Sequence, residues 1–182
     1  MQIVIVGGLP CSGKSKLAER LRARWLCPLL CKDIFKELLF DTLGGADRAW
    51  SRRVSAAAYE IMFRHAEELL LCGISSIVEG NFRDHEHRAR FARLSSLGAT
   101  FVQIHCVASS EVLVARFRER ARSGRRHAGH ADIESLPEME NELLTALQEP
   151  MPVDGPVVEC DTTVDWQRAV EIAVDRAMAF LG

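Results

Sequence analysis

No stretch of this 182-residue sequence approaches the roughly 18 consecutive apolar residues that cross a bilayer. Its opening, MQIVIV, has neither the positive charges nor the length of an export leader, so the expectation is a cytoplasmic protein without a membrane partner. Six cysteines are present (Cys11, Cys27, Cys31, Cys72, Cys106 and Cys160), but no two form a CxxC pair. That spacing argues against a disulfide framework or a zinc ribbon, and most of the thiols should pack as small hydrophobes. Neither sign of charge dominates: 23 Lys and Arg stand against 25 Asp and Glu, a formal net charge of −2. The whole chain therefore exerts no general pull on nucleic acid, and any phosphate chemistry must rest on local clusters. Internal repeats and low-complexity runs are missing too.

What remains is an ordinary globular composition, 48% hydrophobic and 26% charged, of a length that suits one domain over residues 1–182. Short apolar runs alternate with longer amphipathic ones. QIVIV, CPLLCKD, GISSIVEG, ATFVQIHCVA and VVECD read as five strands. Helices are expected over Ser15–Trp25, Ile34–Thr42, Ala46–Cys72, His85–Leu97, Ser109–Ser123, Pro137–Gln148 and Val164–Leu181, with GRRHAGHAD a polar loop. Strands alternating with helices imply right-handed crossovers and a parallel sheet covered on both faces, an α/β three-layer sandwich. Ligands bind such sheets at the carboxyl ends of the strands, where each polar cluster below falls.

The first cluster is Gly8, Leu9, Pro10, Cys11, Ser12, Gly13, Lys14 and Ser15, which satisfies GxxxxGK[ST] between a strand and a helix. This pattern lets backbone N–H groups wrap a polyphosphate at a helix N-terminus, with Lys14 on the β- and γ-phosphates and Ser15 on Mg²⁺. Cys11 lies inside this loop, where the N–H groups are expected to lower its thiol pKa.

Lys32-Asp33 with Lys36 forms the second cluster, at the end of the second strand. Asp33 reads either as the group that accepts a proton from an attacking hydroxyl or as a plain helix N-cap. Glu79, tipping the strand SSIVEG, reads as a carboxylate near the metal or as a solvated strand end. The fourth cluster is a run of arginines, Arg116, Arg118, Arg120, Arg122, Arg125 and Arg126. Arg116 and Arg120 flank Phe117 on one helix edge, and such groups either neutralise a moving phosphoryl or form a solvated basic face. His127 and His130 lack a convincing third metal ligand, His85 and His87 read as a solvated helix start, and Asp161-Thr162-Thr163 either touches a base or caps the final helix.

With GLPCSGKS, KDIFKELLFDTLG, IVEGNF, ARFRERARSGRRHAGHAD and VVECDTT in this order, the chain resembles the small P-loop kinases over nearly its whole length. It is similar to chloramphenicol phosphotransferase, the zeta-toxin kinases and the polynucleotide 5′-hydroxyl kinases, and more distantly to gluconate and adenylate kinases. The resemblance implies a P-loop NTPase fold, ATP and Mg²⁺ as cofactors, and phosphoryl transfer, and is silent on the acceptor; the expectation is a phosphotransferase with a small-molecule hydroxyl acceptor. It also implies an arginine-bearing lid over about residues 116–134, with Lys14, Asp33, Arg120 and Arg126 catalytic and Arg116 and Arg125 on the nucleotide. In the polynucleotide kinases a basic residue three positions after the aspartate contacts phosphate, and Lys36 occupies that place. The chain lacks that subgroup's phosphatase-type domain and any broad basic surface, so a nucleic-acid end is a poor acceptor. The remaining alternative is a regulatory ATPase without a small-molecule acceptor.

Overall fold

The computed structural model describes residues 1–45, 47–124, 126–130 and 132–181. Five parallel strands, β1 (Gln2–Gly8), β2 (Leu29–Cys31), β3 (Ser76–Glu79), β4 (Thr100–Val107) and β5 (Val157–Asp161), form one sheet in the order β2-β3-β1-β4-β5. The helices are α1 (Lys14–Trp25), α2 (Lys32–Leu43), α3 (Arg48–Leu71), α4 (Asp84–Ser96), α5 (Ser110–Ser123), α6 (Leu136–Thr145) and α7 (Trp166–Met178). A 3-10 turn, Ala128–His130, interrupts the loop between α5 and α6.

The sheet is central because its strands are apolar on both faces. Val4 and Val6 of β1 pack with Leu17 and Leu21 of α1 and Val170 and Val174 of α7. Ile3 and Ile5, pointing the other way by the strand's two-residue period, meet Met62 and Phe63 of α3 and Phe91 and Leu94 of α4. These are the helical layers above and below a parallel sheet. Phe91 has no exposed surface, and cutting it to Ala should cost about 3–5 kcal/mol. A third apolar cluster joins Leu113 and Phe117 of α5 to Met139 and Leu143 of α6 and to Leu9 of the phosphate loop. It carries the segment between α5 and α6 to the mouth of the sheet.

The element bounds differ from expectation where local chemistry decides. The second strand ends at Cys31, so Lys32 and Asp33 already belong to α2. The helix after Pro137 stops at Thr145 because the Gln148 side chain turns inward: its Nε2 donates to Ala108 O at 2.8 Å, and Ala108 N–H donates to its Oε1 at 3.2 Å. The final helix spans Trp166–Met178, opened by Asp165, whose carboxylate accepts from Arg168 N–H. No helix among the described residues is long and apolar enough to cross a membrane.

Register brings the strand ends together. Val6 of β1 lies level with Glu79 of β3, which lies level with Cys31 of β2. Because β3 separates β1 from β2, the segment after β2 faces the loop after β1 across Glu79.

Candidate active site

The loop from Gly8 to Ser15 is built as a cradle. At Gly8, with φ 142°, a Cβ would fall 2.3 Å from Cys106 O and 2.7 Å from Ser12 Oγ, so only glycine lets the loop close over β4. Cys11 (φ 67°) and Gly13 (φ 91°) are both left-handed, a turn that directs successive N–H groups inward. No side chain caps the first turn of α1, which leaves its N–H groups for a ligand. Ser12 Oγ is buried and has no hydrogen-bond partner among the described residues. Lys14 spans the loop, its Nζ donating to Leu9 O at 3.3 Å. An orphaned hydroxyl, inward N–H groups and one lysine fit a polyphosphate.

Arg116 closes the cradle from behind. Its Nη2 donates to Thr162 O at 2.6 Å, and its Nη1 donates to Thr162 Oγ1 at 3.0 Å and to Cys11 O at 3.3 Å. The fully buried Thr162 in turn sends its hydroxyl to Ser12 O at 3.0 Å. Arg116 and Thr162 therefore hold the phosphate loop to the end of β5, and Thr162 neither caps α7 nor stands free. That tie to the loop is a role the sequence reading of Asp161-Thr162-Thr163 did not include, since a threonine after a strand gives no sign of which loop it will meet.

From the loop a cleft of about 800 Å³ runs across β3 to α2 and α3, lined by Lys14, Ser15, Asp33, Glu79, Arg120 and Arg126 among others. Glu79 is only 2% exposed, so it is not a solvated strand end; its Oε2 accepts from the Cys31 thiol at 2.7 Å. Burial and the Glu79 charge push that thiol up to about 12. Exposed Ser15 and buried Glu79, both on the cleft wall, supply the hard oxygen donors that suit Mg²⁺.

Asp33 is not the N-cap of α2. Cys31 occupies that position without a side-chain cap bond, and the Asp33 carboxylate is turned to cations. Oδ1 accepts from Lys32 Nζ at 2.9 Å, and Oδ2 from Arg126 Nη2 at 2.5 Å. Burial alone would raise its pKa, but Lys32 and Arg126 outweigh that and hold the carboxyl well below the usual range. Lys36, 5% exposed, also lines the cleft, and burial with the nearby Lys32, Arg48 and Arg126 charges lowers its pKa to about 8.

The arginine run divides. Arg116 holds the loop, Arg118 pairs outward with Glu140 at 2.6 Å, and Arg120 lies over Phe117 with its Nε donating to Asp132 Oδ2 at 2.9 Å. Arg126 reaches Asp33, while Arg125 lies outside the described residues. Two sequence expectations need correction. The Cys11 thiol is raised rather than lowered, because burial outweighs Arg120 and Lys14. His87 is buried, accepting at Nδ1 from Arg83 N–H at 2.9 Å against Tyr59 and Phe82, so it packs in the core rather than in solvent. His127 and His130, within the polar loop, hydrogen-bond to Asp41 and Glu37 of α2.

A parallel sheet of this order, with GxxxxGKS between its first strand and first helix, is the fold of the small P-loop kinases. A family model described as an AAA domain matches residues 3–143, and the chain belongs to that family. No curated protein matches the chain. Among solved structures it is similar to a "putative kinase" from Chloroflexus aurantiacus J-10-fl, at 38% identity over 100% of this chain and 98% of that one, with a TM-score of 0.91. A sugar kinase from Janibacter sp. HTCC2649 is 18% identical over 99% of this chain and 93% of that one, with a TM-score of 0.57. A gluconokinase from Sinorhizobium meliloti 1021 is 15% identical over 98% and 92%, with a TM-score of 0.54. These last two share the fold.

Proposed function

We propose that the protein transfers the γ-phosphate of ATP to a hydroxyl group of a small-molecule acceptor. The observation that carries this reading is the cleft itself, which has a phosphate cradle at one end and the ionised, cation-bound Asp33 at the other. A pure nucleotide switch needs no group to receive an acceptor hydroxyl, whereas a kinase does. The similarity to a "putative kinase" at 38% identity supports the same reading.

In this scheme the loop N–H groups and Lys14 hold the β- and γ-phosphates. Ser15 and Glu79 would hold Mg²⁺, which neutralises phosphate charge when bound. Asp33 orients the acceptor hydroxyl and accepts its proton as the new bond to phosphorus forms. Its low proton affinity makes it an orienting acceptor first and a base only late in transfer. Arg120 and Arg126 balance the charge that spreads over the moving phosphoryl group. The segment carrying them serves as a lid that excludes water, and so limits wasteful hydrolysis.

The test is transfer of labelled γ-phosphate from ATP·Mg²⁺ to a panel of small hydroxyl compounds. Label on an acceptor is expected, with ATP turnover rising when that acceptor is present. ATP turnover indifferent to every acceptor would instead favour the regulatory ATPase.

A further inference from the structure

Helix α2 carries Asp33, Glu37 and Asp41 four residues apart, which places all three on one face. Each accepts from a different residue of the segment after α5: Asp33 from Arg126, Glu37 from His130 Nε2 at 2.8 Å, and Asp41 from His127 Nε2 at 2.8 Å. Ser51 of α3 adds a fourth tie, its hydroxyl donating to Gly129 O at 2.9 Å. The middle pair matters most, because His130 also touches Arg126. Its Nδ1 lies 3.1 Å from Arg126 Nη2.

We infer that His130 is a positioning residue for Arg126: Glu37 fixes the ring with its proton on Nε2, and the free Nδ1 then holds the guanidinium in the orientation that phosphoryl transfer requires. The inference rests on the kinase reading and deepens it. Donor counting gives its content. Nη2 has two hydrogens, one taken by Asp33 Oδ2 and the other by His130 Nδ1, so the guanidinium is pinned at that corner. Its Nε–H is buried and meets no hydrogen-bond acceptor among the described residues, with Asp132 only in charge contact at 3.9 Å. A buried, unsatisfied donor on a cleft-lining arginine is hydrogen-bonding capacity that the protein's own described groups leave unused.

The ring must be neutral for Nδ1 to accept, and the site keeps it so. His130 is 6% exposed, and burial together with the Arg126 charge lowers its pKa to about 3, against the opposing pull of Asp33. A protonated ring would direct an N–H at the guanidinium instead and release it. An arginine held by a carboxylate alone can swing about that one contact; a second acceptor in the same plane removes the freedom.

Two measurements test the inference. Nitrogen-15 spectra of the ring at neutral pH should show His130 as the Nε2–H tautomer, and an Nδ1–H tautomer would overturn it. Affinity for ADP·Mg²⁺ with aluminium tetrafluoride, a planar mimic of the moving phosphoryl group, is then compared with affinity for ATP·Mg²⁺. His130→Gln keeps a group toward Glu37 but loses the acceptor toward Arg126; it should weaken the mimic about 10-fold or more with ATP affinity nearly unchanged. His130→Asn, whose Oδ1 stands in for Nδ1, should recover most of the loss. In an Arg126→Ala background His130→Gln should add nothing, because the two act as one unit. Equal weakening of mimic and ATP, or a full additional loss without Arg126, would overturn the inference while leaving the kinase reading intact. Failure of the wild-type protein to bind the mimic would instead strike the kinase reading, and the tautomer would then decide the chain from Glu37 to Arg126 alone.

Discussion

Arg126 Nη2 donates to Asp33 Oδ2 at 2.5 Å, joining the start of α2 to a residue 93 positions later in the chain. On the proposed function, the group that would receive the acceptor hydroxyl and a group that would balance phosphoryl charge are thus already in contact. Either partner, when altered, changes the other's surroundings.

Asp33→Asn should lower acceptor-dependent turnover by about 10²-fold or more, the scale of a lost proton acceptor, while ATP affinity changes little. Calorimetry of ATP binding and a transfer assay on the same preparation separate the two effects. If turnover survives, the acceptor hydroxyl is received elsewhere, and Asn81 and Glu79 on the same wall become the candidates.

Lys14→Ala should abolish transfer and leave the melting temperature nearly unchanged. Its Nζ donates at 3.3 Å to Leu9 O within its own loop, and among the described residues its side chain belongs to none of the apolar clusters. Retention of wild-type turnover by a folded variant would remove the phosphate loop from the chemistry.

Much of this arrangement was legible in the sequence, for physical reasons that differ from place to place. The phosphate loop was visible because the close approach to Cys106 O demands glycine at position 8, which leaves a pattern in the residues themselves. The sheet was visible because strands buried on both faces become continuous apolar runs such as IVIV. The ties between α2 and the segment after α5 were not, because hydrogen bonds such as that between His130 and Glu37, 93 residues apart, depend on how the chain folds back. The burial of His87 escaped for a related cause: its neighbours Asp84, His85 and Glu86 are polar, and the rings that enclose it are Tyr59 and Phe63 of α3 and Phe82 ahead of α4.

Lys36 makes stability depend on pH. Its ordinary value of 10.5 falls to about 8 in the folded protein, so between those values the unfolded chain holds the extra proton. Stability from this site therefore rises with pH from about 8 to about 10.5 and is lowest where the folded lysine is fully charged. Lys36→Met should be more stable than wild type at pH 7, with the gap narrowing by about 1 kcal/mol or more by pH 10. Urea titrations at the two pH values measure it, and a gap that stays constant would mean that Lys36 is solvated in the cleft.

Arg116 and Arg120 lie one turn apart on α5, yet their contacts assign them different work. Arg116 has three hydrogen bonds inside the protein, to Cys11 O and to two oxygens of Thr162, and these hold the phosphate loop against β5. Removing it strips charge-assisted bonds from that junction, so Arg116→Ala should lower stability by about 1–3 kcal/mol and weaken ATP binding as the loop loosens. Thr162→Val removes only the hydroxyl's share, including its bond to Ser12 O, and should show the same pattern more mildly. Among the described residues Arg120 makes no hydrogen bond to the loop; it stacks on Phe117 and pairs with Asp132 on the cleft wall. Arg120→Ala should therefore leave ATP affinity within about twofold and lower turnover about 10-fold or more, the mark of a group that acts on the moving phosphoryl rather than on the bound nucleotide. Denaturant titration, ATP calorimetry and transfer rates on all three variants give the comparison. If Arg116→Ala and Arg120→Ala lose ATP affinity equally, both arginines belong to nucleotide binding, and charge balance during transfer falls to Arg126 and Lys14.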